Sequence, residues 1–231
     1  MGAFETAVTV LAVRGGTKMR RMISSGVLVL AMVTTPAQSQ EWRQYLAFDD
    51  FFSISFPGEP TIRGTTYRTE YGIVLPAKTY TAEDFLGSYV VTVMDWAEAQ
   101  ELHDARFAAC QASGSNACFN SWSSEISGAA AHAVADMITR PGTQVTYFGQ
   151  YTADGVAGFQ LELAKENGSR TTAVAHWHEN RLYIVEATAS EGMPDPEIFP
   201  VSFGFIDEDG RRIQYRGGRY FPLFPKPNRS R

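Results

Sequence analysis

Cysteine is nearly absent: Cys110 and Cys118 are the only two in 231 residues. Eight positions apart, they lack the Cys-x-x-Cys spacing that lowers a thiol pKa, so nothing marks them as a redox pair. Long hydrophobic runs are also missing, and after Val33 no segment could cross a bilayer as a helix. Signatures of nucleophilic catalysis do not occur. Gly114-Ser115 and Ser127-Gly128 are fragments of no larger motif. Gly217-Gly218 is followed by Arg219 and no helix, which excludes a phosphate-cradling loop. Positive charge is sparse over most of the chain. Residues 40–210 hold 9 bases against 24 acids, a net of −15. A body of that sign repels phosphate, which excludes a nucleic-acid-binding role for it.

What is present begins at the N-terminus. Basic Lys18, Arg20 and Arg21 precede an apolar stretch from Ile23 to Val33 and then Thr34-Thr35-Pro36-Ala37-Gln38-Ser39. That order reads as a secretory signal peptide over residues 1–39, with Ala37 and Ser39 at the minus-three and minus-one positions of a peptidase site. Translation from Met19 would give a more compact basic region. The mature chain then starts near Gln40 and is periplasmic or secreted. The full sequence is 44% hydrophobic with 15 Phe and 10 Tyr, and with no transmembrane segment after cleavage the mature part reads as one globular domain.

Residues 40–210 carry the fold. Phe52, Ile54 and Phe56 alternate with Ser53 and Ser55, which predicts a half-buried strand ended by Pro57-Gly58-Glu59-Pro60. Further strands are expected at 65–71, 77–83 and 89–95. After Trp96 the period lengthens to that of helices, over 97–111 and then through Phe119, Trp122, Ile126, Ala130, Ala133 and Met137. In the second helix Glu125, His132 and Asp136 fall opposite that stripe. Four more strands follow at 144–151, 157–165, 170–178 and 181–189. Asn167-Gly168 is expected to be a type I′ hairpin turn, because both positions of that turn need positive φ. A short helical piece at 196–203 closes the domain. Segregated strands and helices with tight turns predict an α+β fold on a largely antiparallel sheet of five or more strands.

Residues 52–60 (Phe-Ser-Ile-Ser-Phe-Pro-Gly-Glu-Pro), the strand Tyr89-Val90-Val91-Thr92-Val93, and Arg181 to Val185 followed by Phe199 to Phe205 resemble small exported bacterial proteins. Their architecture is similar to the PsbP/Mog-type α/β/α sandwich. The resemblance rests on core and turn residues and covers most of 50–206. It implies a fold and an assembly, accessory or binding role, and it brings no catalytic motif with it.

Chemistry is thinly marked. A continuous helix would hold Cys110 and Cys118 about 12 Å apart, but Ser113-Gly114-Ser115-Asn116 breaks it, so a structural disulfide is expected in an oxidising compartment. His176 and His178 flank Trp177 on a strand and point to one face, which makes them the weak candidates for metal ligands. A periplasmic hydrolase or metalloenzyme using them is the alternative to a non-enzymatic accessory or binding protein. His103-Asp104 reads as a helix start. Asp49-Asp50 and Asp207-Glu208-Asp209 read as solvated turns. No cofactor is implied. Residues 211–231 hold seven bases and no acid, interleaved with aromatics. They read as an extended tail in which Arg211, Arg212, Arg216 and Arg219 either meet an anionic partner, protein or envelope component, or lie on the acidic body.

Overall fold

A computed structural model describes residues 41–229, and the expected signal segment lies outside the described residues. In chain order the elements are β1 (Arg43–Ala47), β2 (Phe52–Phe56), β3 (Thr61–Arg68), β4 (Val74–Glu83), β5 (Gly87–Asp95), α1 (Ala99–Ala112) and α2 (Trp122–Ile138). There follow β6 (Thr143–Ala153), β7 (Val156–Lys165), β8 (Arg170–His178), β9 (Arg181–Ala189), α3 (Ile198–Ser202), β10 (Gly204–Phe205), β11 (Tyr215–Arg216) and β12 (Asn228–Arg229).

Seven strands form one sheet in the order β3-β4-β5-β9-β8-β7-β6, every neighbouring pair antiparallel. The fold is α+β, as the sequence predicts. A smaller sheet, β1-β2-β10, and α3 cover one face of it. There Phe52 meets Tyr80 and Tyr183 of the large sheet, with ring centroids 4.9 and 6.3 Å apart. Helix α2 crosses β6 to β9 on the other face, where Trp177 of β8 meets Trp96 edge-on at 5.0 Å. Alternation along β8 therefore sends Trp177 toward the helices and His176 and His178 toward the small sheet. Covered on both sides, β8 is buried from Thr171 to His178.

Three local expectations are corrected. The turn at Asn167-Gly168 is a three-residue loop in which only Gly168 has positive φ, 78°. The Asn167 side chain accepts the Ser169 N–H at 3.1 Å, closing its own turn instead of adopting the left-handed region. Both central residues are left-handed in the β6–β7 and β8–β9 hairpins, Asp154-Gly155 (52° and 85°) and Glu179-Asn180 (45° and 62°), as type I′ requires. The inward face of α2 carries Glu125, Ile126, Ala129, Ala133 and Met137, so Glu125 points inward. Phe119 precedes the helix and is 69% exposed.

The chain beyond Gly210 is woven into this fold. Ile213, Tyr215 and Tyr220 are buried in the same core as the sheets. Tyr215 N–H bonds to the Asp154 carbonyl at 2.9 Å and Tyr220 N–H to that of Gly155 at 2.8 Å, so the β6–β7 turn holds the strap by its backbone.

Candidate functional site

His176 and His178 share a face, as strand alternation predicts, but that face is the interior between the two sheets. His176 lies parallel to Phe203 (6.0 Å, 10°) with Tyr151 and Phe205 beside it, and neither ring nitrogen has a hydrogen-bond partner. Burial holds its pKa down to about 4. His178 Nε2 lies 2.8 Å from the Tyr215 hydroxyl, with Phe205 and Tyr220 packed around the ring. Burial also lowers its pKa to about 4, against the opposing charge of Glu179. Among the described residues no group of three His, Cys, Asp or Glu is placed to hold a metal ion. Across the ladder from His176 stands Gly158, where a Cβ would come within 2.3 Å of His176 Nδ1 and of the Ala175 carbonyl oxygen. This close approach requires glycine.

His103 lies within α1 rather than at its start, and forms the centre of a buried network. Its Nε2 is 2.5 Å from Glu125 Oε2, Ser121 Oγ lies 3.4 Å from its Nδ1, and Trp96 Nε1–H donates to Glu125 Oε1 at 3.2 Å. Both side chains of the His–Glu pair are 1% exposed. Ser, His and Glu in series are the groups of a hydrolytic triad. Here Ser121 is itself buried at the start of α2, and its oxygen is 3.4 Å from the imidazole. The arrangement instead clamps α1, α2 and the end of β5 together through charge-assisted bonds. Sequence periodicity did not reveal it, since the partners lie on two helices and no local pattern links His103 to Glu125. Just beyond, Cys110 and Cys118 form a disulfide with Cα atoms 5.6 Å apart, tying the end of α1 to the loop that enters α2.

Asp50 is likewise not a solvated turn residue. It is buried, accepts hydrogen bonds from Lys78 Nζ at 2.9 Å and from the Tyr80 hydroxyl, and its carbonyl accepts from Tyr183 at 3.0 Å. Burial and the Asp50 carboxylate push the Tyr80 phenol upward, so it remains the donor. Asp207, Glu208 and Asp209 border a cleft of about 370 Å³ whose other walls include Phe51, Arg181 and Arg229. Its charges are mostly committed. Arg181 sits 4.7 Å above the Phe51 ring, Glu179 receives Lys226 and Arg229, and Asp207 accepts backbone N–H bonds from Asp209 and Arg211.

The basic residues of the strap divide into two sets. Arg212 reaches Asp154 at 2.8 Å and the Phe203 carbonyl at 2.9 Å, while Arg211 pairs with Asp209. With Lys226 and Arg229 on Glu179, these lie on the acidic body, one of the two readings open from sequence. Arg216 and Arg219 differ. Both are exposed, and no acid pairs with either among the described residues. Arg219 borders an apolar groove of about 220 Å³ between α2, β6 to β8 and the strap, lined by Ile126, Ala130, Tyr151, Phe159, Trp177 and Phe224 among others. Next to it Phe221, Leu223 and Phe224 are 43, 60 and 70% exposed. The groove and this loop are the strongest candidate for a binding site.

No protein-family model matches the chain, and no curated protein matches it. Among solved structures it is similar to cyanobacterial PsbP (CyanoP) from Synechocystis sp. PCC 6803. That match has 11% identity, covers 74% of this chain and 96% of that one, and has a TM-score of 0.39. It is also similar to PA94 from Pseudomonas aeruginosa, titled a protein of unknown function and putative regulator. There the identity is 12%, the coverage 69% and 87%, and the TM-score 0.27.

Proposed function

We propose that the chain is an exported, non-enzymatic accessory or binding domain of the cell envelope, periplasmic or secreted, which holds its partner at the face formed by α2, β6 to β8 and the strap. The observation that carries this reading is the loop at 221–224. Three large apolar side chains stand in water there, beside two arginines with no acidic partner. Exposed apolar groups clustered with cations fit a partner that is anionic and partly apolar. The Cys110–Cys118 disulfide fits an oxidising compartment, and the basic, apolar and small-residue order of residues 18–39 fits export. A metalloenzyme built on His176 and His178 finds less support, because a substrate would have to displace Phe203 and Phe205 to reach either imidazole.

The test is co-sedimentation of the mature chain, starting at Gln40, with envelope fractions, compared with a Phe221→Ser, Phe224→Ser variant. Binding should be lost in the variant while its melting temperature is unchanged, since both side chains are exposed. Equal sedimentation of the two proteins would refute the reading.

A further inference from the structure

The groove beside Arg219 narrows the partner's chemistry, on the premise that this face is the binding face. Its lining contains one charged residue, Arg219, and no acid. In a chain whose residues 40–210 carry −15, an acid-free groove with a lone cation at its edge selects for negative charge. The remaining walls are apolar or aromatic. The polar side chains are few: Gln150, Tyr151 and Ser127, whose hydroxyl already donates to the Ser123 carbonyl at 2.8 Å. Volume restricts the occupant further. At about 220 Å³ the groove is smaller than the ~300–1,000 Å³ typical of drug-sized ligands. At ~30 Å³ for each water-sized group, that volume corresponds to about seven such groups.

We propose that this groove binds a single-chain anionic amphiphile, about seven carbons of its alkyl chain lying against Phe159 and Trp177 and its carboxylate-like head on the Arg219 guanidinium. Any longer part of the chain runs out beside Phe221 and Phe224. Among the described residues no acid pairs with the exposed Arg219 side chain, whose guanidinium can take a carboxylate in a fork.

The experiment titrates the mature protein with alkyl carboxylates of six to twelve carbons, each below its micelle concentration, and follows heat and tryptophan fluorescence. Saturable one-to-one binding is expected. Affinity should rise about fourfold per added methylene and level off near eight carbons. An alkyl trimethylammonium of equal length should bind at least tenfold more weakly. Arg219→Glu, at an exposed position with no structural partner, should lower carboxylate affinity at least tenfold with no change in melting temperature. Ala130→Phe, which fills the groove, should abolish binding, and if that variant fails to fold, Arg219→Glu decides the matter alone. Absence of saturable binding, or equal affinity for the cationic amphiphile, would overturn the inference. Binding to phosphatidylglycerol vesicles without binding to the free carboxylates would overturn it too, while leaving the envelope-binding reading intact. Failure of both assays would remove both.

Discussion

Acid should destabilise this protein well before its carboxylates titrate, because two histidines are locked neutral in its interior. His176 and His178 have their pKa lowered from an ordinary 6.5 to about 4, chiefly by burial. As pH falls through 6.5 the unfolded chain takes up a proton at each site and the folded chain does not. Stability is therefore fully present above pH 6.5, and falls as pH drops from 6.5 toward 4. At about 1.4 kcal/mol per pH unit, each histidine costs about 2 kcal/mol between pH 6.5 and 5, and the pair about 4. Set against a total of about 5–15 kcal/mol for a typical domain, that loss is large. Urea midpoints measured from pH 7.5 to 5 should be flat down to about 6.5 and then decline. His176→Leu, which removes one titrating group at similar volume, should halve the decline. A midpoint that holds steady to pH 5, or a decline unaltered by His176→Leu, would refute the reasoning.

Gly158→Ala should cost about 1–3 kcal/mol through overpacking, since the new methyl meets a central-sheet carbonyl and the confined His176 ring. Gly64→Ala on the edge strand β3, where nothing lies within 4 Å, is the matched control. Equal melting temperatures for the two variants would contradict the close-approach argument. Ending the chain after Gly210 should lower the melting temperature steeply. It removes Ile213, Tyr215 and Tyr220 from the core, at about 1.5–3 kcal/mol each, and takes the cationic partners from Asp154 and Glu179. An unchanged melting curve would show the strap to be dispensable.

The strands were readable because their cause is local. β-Branched and aromatic runs between turn residues placed each strand of the large sheet at least in part: 170–178 and 181–189 coincide with β8 and β9 residue for residue, whereas 65–71 overlaps only the second half of β3, which starts at Thr61 directly after Pro60. β1 escaped notice because Arg43 to Ala47 has little alternation of its own and owes its strand form to pairing with β2. Side-chain roles were far less readable. Nothing within ten residues of Glu125 distinguishes a solvated acid from one that faces a buried histidine 22 positions earlier. The strap looked like a tail because its prolines, glycines and bases are those of disordered segments. Its order comes from Tyr215 and Tyr220 docking on the β6–β7 turn, a long-range contact that composition does not encode. The groove depends on the same docking, since Arg219 and Phe224 border it only once the strap is in place.

The position of the strap also bears on how the protein is made. β2 pairs with β10 about 150 residues later in the chain, and the β6–β7 turn is capped by Tyr215 and Tyr220. Contacts of such long sequence separation close late. Until Tyr215 and Tyr220 dock, the core beneath the β6–β7 turn stays open. On the proposal that the chain is exported, the strap would act as a timer, because the fold could not close over the β6–β7 turn before residues 213–220 had followed the strands across.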